Sequence, residues 1–146
     1  MVAIESKSDP QAIISVIRHI HDEYWKGRLA YDPELFAEKL VKFGECLFAV
    51  DKATGVALGG VFGYCNNIQD KIAYISFIGR IKAAPKGTGV LLHHAFAELA
   101  YSHGMERIRL EVSKANGHAR DFYHRLGYAQ VEDHGEKLLL ELPINA

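Results

Sequence analysis

Long apolar runs are missing from this 146-residue chain, and so is any run of lysine or arginine. No stretch approaches the roughly 20 residues that span a bilayer as a helix, so no membrane partner is expected. The formal net charge is −1, with both signs scattered along the chain. No nucleic-acid partner is expected either, because such domains carry a basic surplus or a basic stripe. Met1-Val2-Ala3-Ile4-Glu5 has no basic region followed by an apolar one. A secretory signal is therefore not expected, and the cytoplasm is the expected compartment. Cysteine is scarce. Cys46 and Cys65 sit in apolar, strand-like runs without Cys-x-x-Cys spacing, which fits reduced, buried thiols better than a disulfide or a metal site. Among the eight histidines, His19 and His21 diverge on a helix, His93 and His94 are adjacent, and no His-x-x-x-His occurs. No metal is expected, and the histidines are expected at the surface or in first turns.

What is present suits one soluble domain over 1–146: about half the residues are apolar and about a quarter charged. Residues 2–5 suit a short strand. Ser8 followed by Pro10 announces a helix, with Ile13, Ile17, Ile20 and Tyr24 on one face and Gly27 at its end. Asp32-Pro33 opens a second helix, which carries Phe36, Leu40 and Phe43 and stops at Gly44. Leu47–Val50, Val56–Tyr64 and Ile72–Ile81 read as three strands, the first two as a hairpin. A glycine-bearing loop leads into a helix with Leu92, Phe96 and Leu99 inward, ending at Gly104. Ile108, Leu110 and Val112 alternate with Arg107, Arg109 and Glu111 as a half-buried strand. A helix from Asn116 to Gly127 follows, then strands near 128–131 and 137–142. The order β-α-α-β-β-β-α-β-α-β-β predicts a layered α/β domain on a mixed central sheet.

Lys86-Gly87-Thr88-Gly89-Val90-Leu91 lies between a strand and a helix. Glycines there let the backbone turn tightly, and the helix N-terminus carries about half a positive charge. Such a loop can hold a phosphate or pyrophosphate, or it can be a plain strand-to-helix turn. It lacks the GxxxxGK pattern of a P-loop, and the GxGxxG dinucleotide pattern fails at Leu92. Neither a nucleoside-triphosphate enzyme nor a nicotinamide dehydrogenase is favoured.

With Leu110-Glu111-Val112, Asn116, Ala119, Phe122-Tyr123 and Leu126-Gly127-Tyr128 added, residues 72–130 resemble the GNAT superfamily of N-acetyltransferases. The resemblance rests on two segments: the pyrophosphate loop, Val-x-Pro-x-x-Arg-Gly-x-Gly-Ile-Gly in the family, and the later Asn-x-x-Ala-x-x-Phe-Tyr-x-x-x-Gly-Phe. It implies a single-domain GNAT fold and acetyl transfer from acetyl-CoA, the cosubstrate, to an amine. Lys86 stands where Arg is usual, Leu91 where Gly or Ala is usual, and Ala83 where the family often has Pro. Leu91 must therefore point away from the loop, or the loop packs differently.

The resemblance further implies roles. Lys86, Gly87, Thr88, Gly89, Val90 and Leu91 would form the pyrophosphate loop, with Asn116, Ala119 and Phe122 beside the coenzyme. The backbone of Gly79, Arg80 and Ile81 would pair with the pantetheine arm, and an N–H there would polarise the thioester carbonyl. Arg80 can meet an anion or simply be solvated. Tyr123 would be the general acid toward the departing thiolate; the plainer alternative is a core tyrosine. Glu111 would take the amine's proton, as in family members with Leu-Glu-Val here, unless it is a surface carboxylate paired with Arg107 or Arg109. Glu23, His124 and Tyr74 are weaker candidates for the base. Tyr24, Trp25 and Tyr31 either shape the acceptor pocket or cap the core, and Glu23 with Asp22 could attract a cationic amine. The acceptor implied is a primary amine: a small amine, an amino sugar, an antibiotic or a peptide N-terminus. A homodimer is possible, since dimers are common among the proteins it resembles. The departures at Lys86 and Leu91 motivate a second reading, a non-catalytic coenzyme A-binding module. The glycine loop alone leaves a third, a phosphate module unrelated to coenzyme A.

Overall fold

The computed structural model describes residues 1–25, 27 and 29–144. Its elements follow the expected order: β1 (Val2–Ser6), α1 (Pro10–Tyr24), α2 (Pro33–Phe43), β2 (Glu45–Asp51), β3 (Ala57–Asn67), β4 (Ile72–Arg80), α3 (Thr88–Ser102), β5 (Arg107–Ser113), α4 (Gly117–Leu126), β6 (Ala129–Asp133) and β7 (Lys137–Pro143). Asp9, not Ser8, caps α1: its carboxylate accepts the Gln11 N–H at 3.0 Å. The reason is local. Pro10 takes the first helical position, so the cap is the residue directly before it. The helix also ends earlier than Gly27 would suggest, because Trp25 is already extended.

Seven strands form one sheet in the order β1-β2-β3-β4-β5-β7-β6. All neighbours are antiparallel except β4 and β5. The helices lie on both faces, as two glycines of β3 show. Gly60 pairs with Gly79, whose missing Cβ would meet Ile20 of α1 at 3.2 Å. Three residues along the same strand, and so on the opposite face, Gly63 would meet Phe96 of α3 at 3.0 Å. Ile13, Ile17 and Leu40 fill the first face, while Leu92, Phe96, Ile108 and Leu110 fill the second; all are essentially inaccessible. Cys46 and Cys65 are buried and free. Burial pushes their thiols up to about 11 and about 12, so both stay protonated at neutral pH.

The parallel pair decides where chemistry is possible. β4 and β5 pair only from Ile72–Tyr74 against Arg107–Arg109. Beyond Tyr74 the strands part. The β3–β4 register slips by one at Ser76, since Phe62 faces Phe77 while Gly63 faces Ile75. A bulge bends its strand and increases the local twist. It lies where β4 leaves β5, and beyond Tyr74 the paired residues of β4, Ile75 and Phe77 to Arg80, have partners on the β3 side alone.

Candidate active site

The gap between the parted strands opens into a cavity of about 770 Å³. Gly79 and Arg80 reach it from β4, and Ser113, Ala115 and Asn116 from the end of β5. Gly89 comes from α3, Tyr24 and Trp25 from the end of α1, and Ala119, Phe122 and Tyr123 from α4. The cavity therefore passes through the sheet, with helices of both faces at its rim.

At one end stands the N-terminus of α3. Gly87 holds φ +91°, a left-handed conformation that a side chain would strain. It offers no side chain as a cap, and the first turn contains no acid. Thr88 turns inward, its hydroxyl donating to the Pro85 carbonyl at 2.6 Å. The Leu91 N–H is taken by the Gly87 carbonyl. Among the described residues, no protein group accepts from the N–H groups of Gly89 and Val90. Unclaimed donors at a helix N-terminus suit an anion. Leu91 is exposed, the first of the two expected outcomes, and so are Val90 and Lys86. Gly89 lies against the Phe122 ring, which a Cβ there would meet at 3.4 Å, an ordinary van der Waals contact.

Tyr123 sits deeper, 9% exposed, edge-on to Phe122 and Tyr128 at 5.3 and 5.5 Å between ring centroids. No described residue hydrogen-bonds its hydroxyl, yet among the described residues no fully buried side-chain polar atom is left unpaired. The hydroxyl thus opens onto the cavity. Burial pushes its pKa up to about 12, so it holds its proton. Asn116 has a structural duty as well: its side-chain oxygen caps α4 by accepting the Ala119 N–H at 3.1 Å.

Other sequence candidates stand apart. Glu111 is not paired with Arg107 or Arg109; both arginines turn to Glu141, Arg109 at 2.8 Å. Instead Glu111 Oε2 meets His134 Nδ1 at 2.7 Å, and His134 Nε2 meets Glu132 at 2.7 Å. Both carboxylates hold the imidazole's pKa above its ordinary value. Tyr74, one strand over, is raised by burial and then by the Glu111 carboxylate beside it. Both residues lie off the cavity lining, as do Tyr31, Ile81, Lys86, Gly87, Thr88, Val90 and Leu91. Tyr31 packs on Phe36 at 4.9 Å. The Ile81 N–H is spent on the Leu58 carbonyl at 2.9 Å. Glu23 is occupied too: it accepts the Lys82 N–H at 2.8 Å and sits 3.3 Å from His19, tying α1 to the chain after β4.

Ile20, Ile78, Ser113, Ala115 and His118 line the cavity without having been named as site residues from the sequence. Only the ends of β4 and β5 could have suggested them, because ligands in open α/β sheets gather beyond the carboxyl ends of parallel strands. His93 departs from the surface expectation: it is 4% exposed and hydrogen-bonded at 2.7 Å to the Tyr128 hydroxyl. Among the described residues no His, Cys, Asp or Glu group is arranged to hold a metal, and no helix is long and apolar enough to cross a membrane.

The sequence matches the acetyltransferase (GNAT) family over residues 14–128. No curated protein is a significant sequence match. Solved structures share the fold at low identity. Ard1 from Thermoplasma volcanium is 19% identical, with a TM-score of 0.78 and 99% of each chain covered. The ribosomal-protein-S18-alanine N-acetyltransferase of Escherichia coli is 16% identical, with a TM-score of 0.77, covering 100% of this chain and 96% of that one. A GNAT-family acetyltransferase of Staphylococcus aureus is 12% identical, with a TM-score of 0.80, covering 99% and 100%.

Proposed function

Because the chain belongs to the GNAT acetyltransferase family, whose members are acyl-CoA-dependent N-acyltransferases, we propose that it moves an acetyl group from acetyl-CoA to a primary amine held at the β4–β5 cleft. The observation that carries this is the Tyr123 hydroxyl, protonated and unpartnered, opening onto a cavity whose other end is the uncapped N-terminus of α3. The residues present fit acetyl-CoA. The free N–H groups of Gly89 and Val90, with Lys86 beside them, suit the pyrophosphate. The unpaired edge of β4 at Gly79 and Arg80 suits an amide-bearing arm, and the apolar wall of Ile20, Ile78 and Phe122 excludes water. When bound, the thioester supplies an acetyl group activated toward an amine.

The chain's own residues do the rest. Tyr123 would donate a hydrogen bond to the departing thiolate; a thiol's ordinary pKa near 8.5 makes that thiolate a good leaving group, so the phenol need only share its proton with it. An alkylammonium must lose a proton before it attacks, and Glu111, off the cavity lining and two residues before Ser113 at its rim, would take it through water. Tyr24 and Trp25 shape the acceptor side. Small amines, amino sugars, aminoglycosides and peptide N-termini are the acceptor classes to test. The test is release of free coenzyme A thiol from acetyl-CoA across such a panel. Release that depends on one acceptor is expected; tight acetyl-CoA binding with silence across the panel would favour a binding module instead.

A further inference from the structure

His93 and Tyr128 form a buried polar pair that the transfer chemistry leaves unused. They are 4% and 5% exposed, and their side chains meet at 2.7 Å. Burial lowers the imidazole to about 4 and raises the phenol, so both are neutral throughout the working pH range. A neutral imidazole has one donor and one acceptor nitrogen. Nε2 therefore makes one fixed bond to the hydroxyl, and no titration near neutrality loosens it.

Tyr128 is joined to Tyr123 twice. Its backbone N–H donates to the Tyr123 carbonyl at 3.1 Å, across the left-handed Gly127 that ends α4. Its ring lies edge-on to the Tyr123 ring. His93 belongs to α3, one turn after Gly89, on the helix whose N-terminus faces the cavity. Side chains thus clamp α4 onto α3 at two levels: Phe122 beneath Gly89 and Tyr128 on His93. Tyr123 lies between these two contacts.

We propose that His93 is a positioning residue: through Tyr128 it fixes the Tyr123 hydroxyl at a set distance from the N-terminus of α3. This rests on the reading of Tyr123 as the acid. The coenzyme arm has one length, so a thioester anchored at α3 meets the hydroxyl only if the two helices keep their spacing. A displacement of about 1 Å can cost a hundredfold in rate.

The experiment uses Tyr128→Phe, which keeps the ring and the backbone bond, and the double variant Tyr128→Phe/His93→Leu, which removes both polar atoms. Turnover is read with the amine that releases thiol in the panel. Amide exchange in α4 is read in the acetyl-CoA complex, which needs no acceptor. Tyr128→Phe is expected to lower kcat about tenfold with acetyl-CoA KM unchanged, and to speed exchange at Tyr128 and the last turn of α4. In the double variant Tm should recover while kcat stays low, whereas His93→Gln with Tyr128 intact should retain kcat, because the amide can still bond the hydroxyl. In a Tyr123→Phe background, Tyr128→Phe should have no further effect. Recovery of kcat together with Tm, an equal loss in both backgrounds, or unchanged exchange would overturn the proposal. An inert Tyr123→Phe would instead remove the acid reading itself.

Discussion

Burial holds the Tyr123 phenol at about 12, so the residue keeps its proton across the neutral range, and as the acid proposed for it would produce no alkaline limb below about pH 10. Tyr123→Phe should lower kcat by about tenfold or more, with acetyl-CoA binding by calorimetry unchanged. Glu111→Gln should lower kcat/KM most at low pH, where the ammonium holds its proton; full activity at neutral pH would end that assignment. Two histidines set opposite pH dependences. His134 is raised by Glu111 and Glu132, so the stability it contributes is complete below about 6.5 and is lost as pH rises through its folded value. His93 is lowered by burial to about 4, so the unfolded chain takes up its proton first. Stability should fall on the order of 3 kcal/mol as pH drops from about 6.5 to about 4. Denaturant melts of the His93→Leu/Tyr128→Phe pair should lack this acid loss, and those of His134→Ala should lack the loss on the alkaline side. The sequence offered no way to separate these two histidines, since burial and carboxylate neighbours are properties of the folded chain.

Among the elements, β3 and β4 carry the tightest constraint. A Cβ on Gly63 would lie 2.2 Å from the Tyr74 carbonyl oxygen and 3.0 Å from Phe96. Both obstacles are fixed, one by the sheet and one by the core. Gly63→Ala should cost about 3 kcal/mol or more, read as a fall in Tm or as insoluble protein. Gly87→Ala is milder: its neighbourhood is open but its φ of +91° is not, so about 1 kcal/mol is expected. The sequence made these elements legible because apolar spacing and end signals agree. Asp32-Pro33 and Gly44 bound α2, and Asn116 and Gly127 bound α4, as their residue types dictate. Boundaries slipped where two signals competed, as at Asp9 against Ser8 and Trp25 against Gly27.

For the whole molecule, the cleft exists because two strands that begin as partners separate. Acetyl-CoA should stabilise the fold through it: at 100 times Kd the gain is about 2.7 kcal/mol, visible as a rise of several degrees in Tm. Lys86→Glu should shrink that rise without changing the Tm of the free protein, because Lys86 is exposed. By itself the sequence determined the order of elements, the glycine loop at the start of α3 and the Asn116–Tyr128 segment, because each is written in local spacing. Only the tertiary structure decided that β4 and β5 part after Tyr74, that Ile20, Ser113 and His118 join Tyr123 around one cavity, and that Glu111 faces His134 rather than an arginine. Those facts depend on pairing between distant segments and on which side chains a register brings face to face, and no local pattern encodes either.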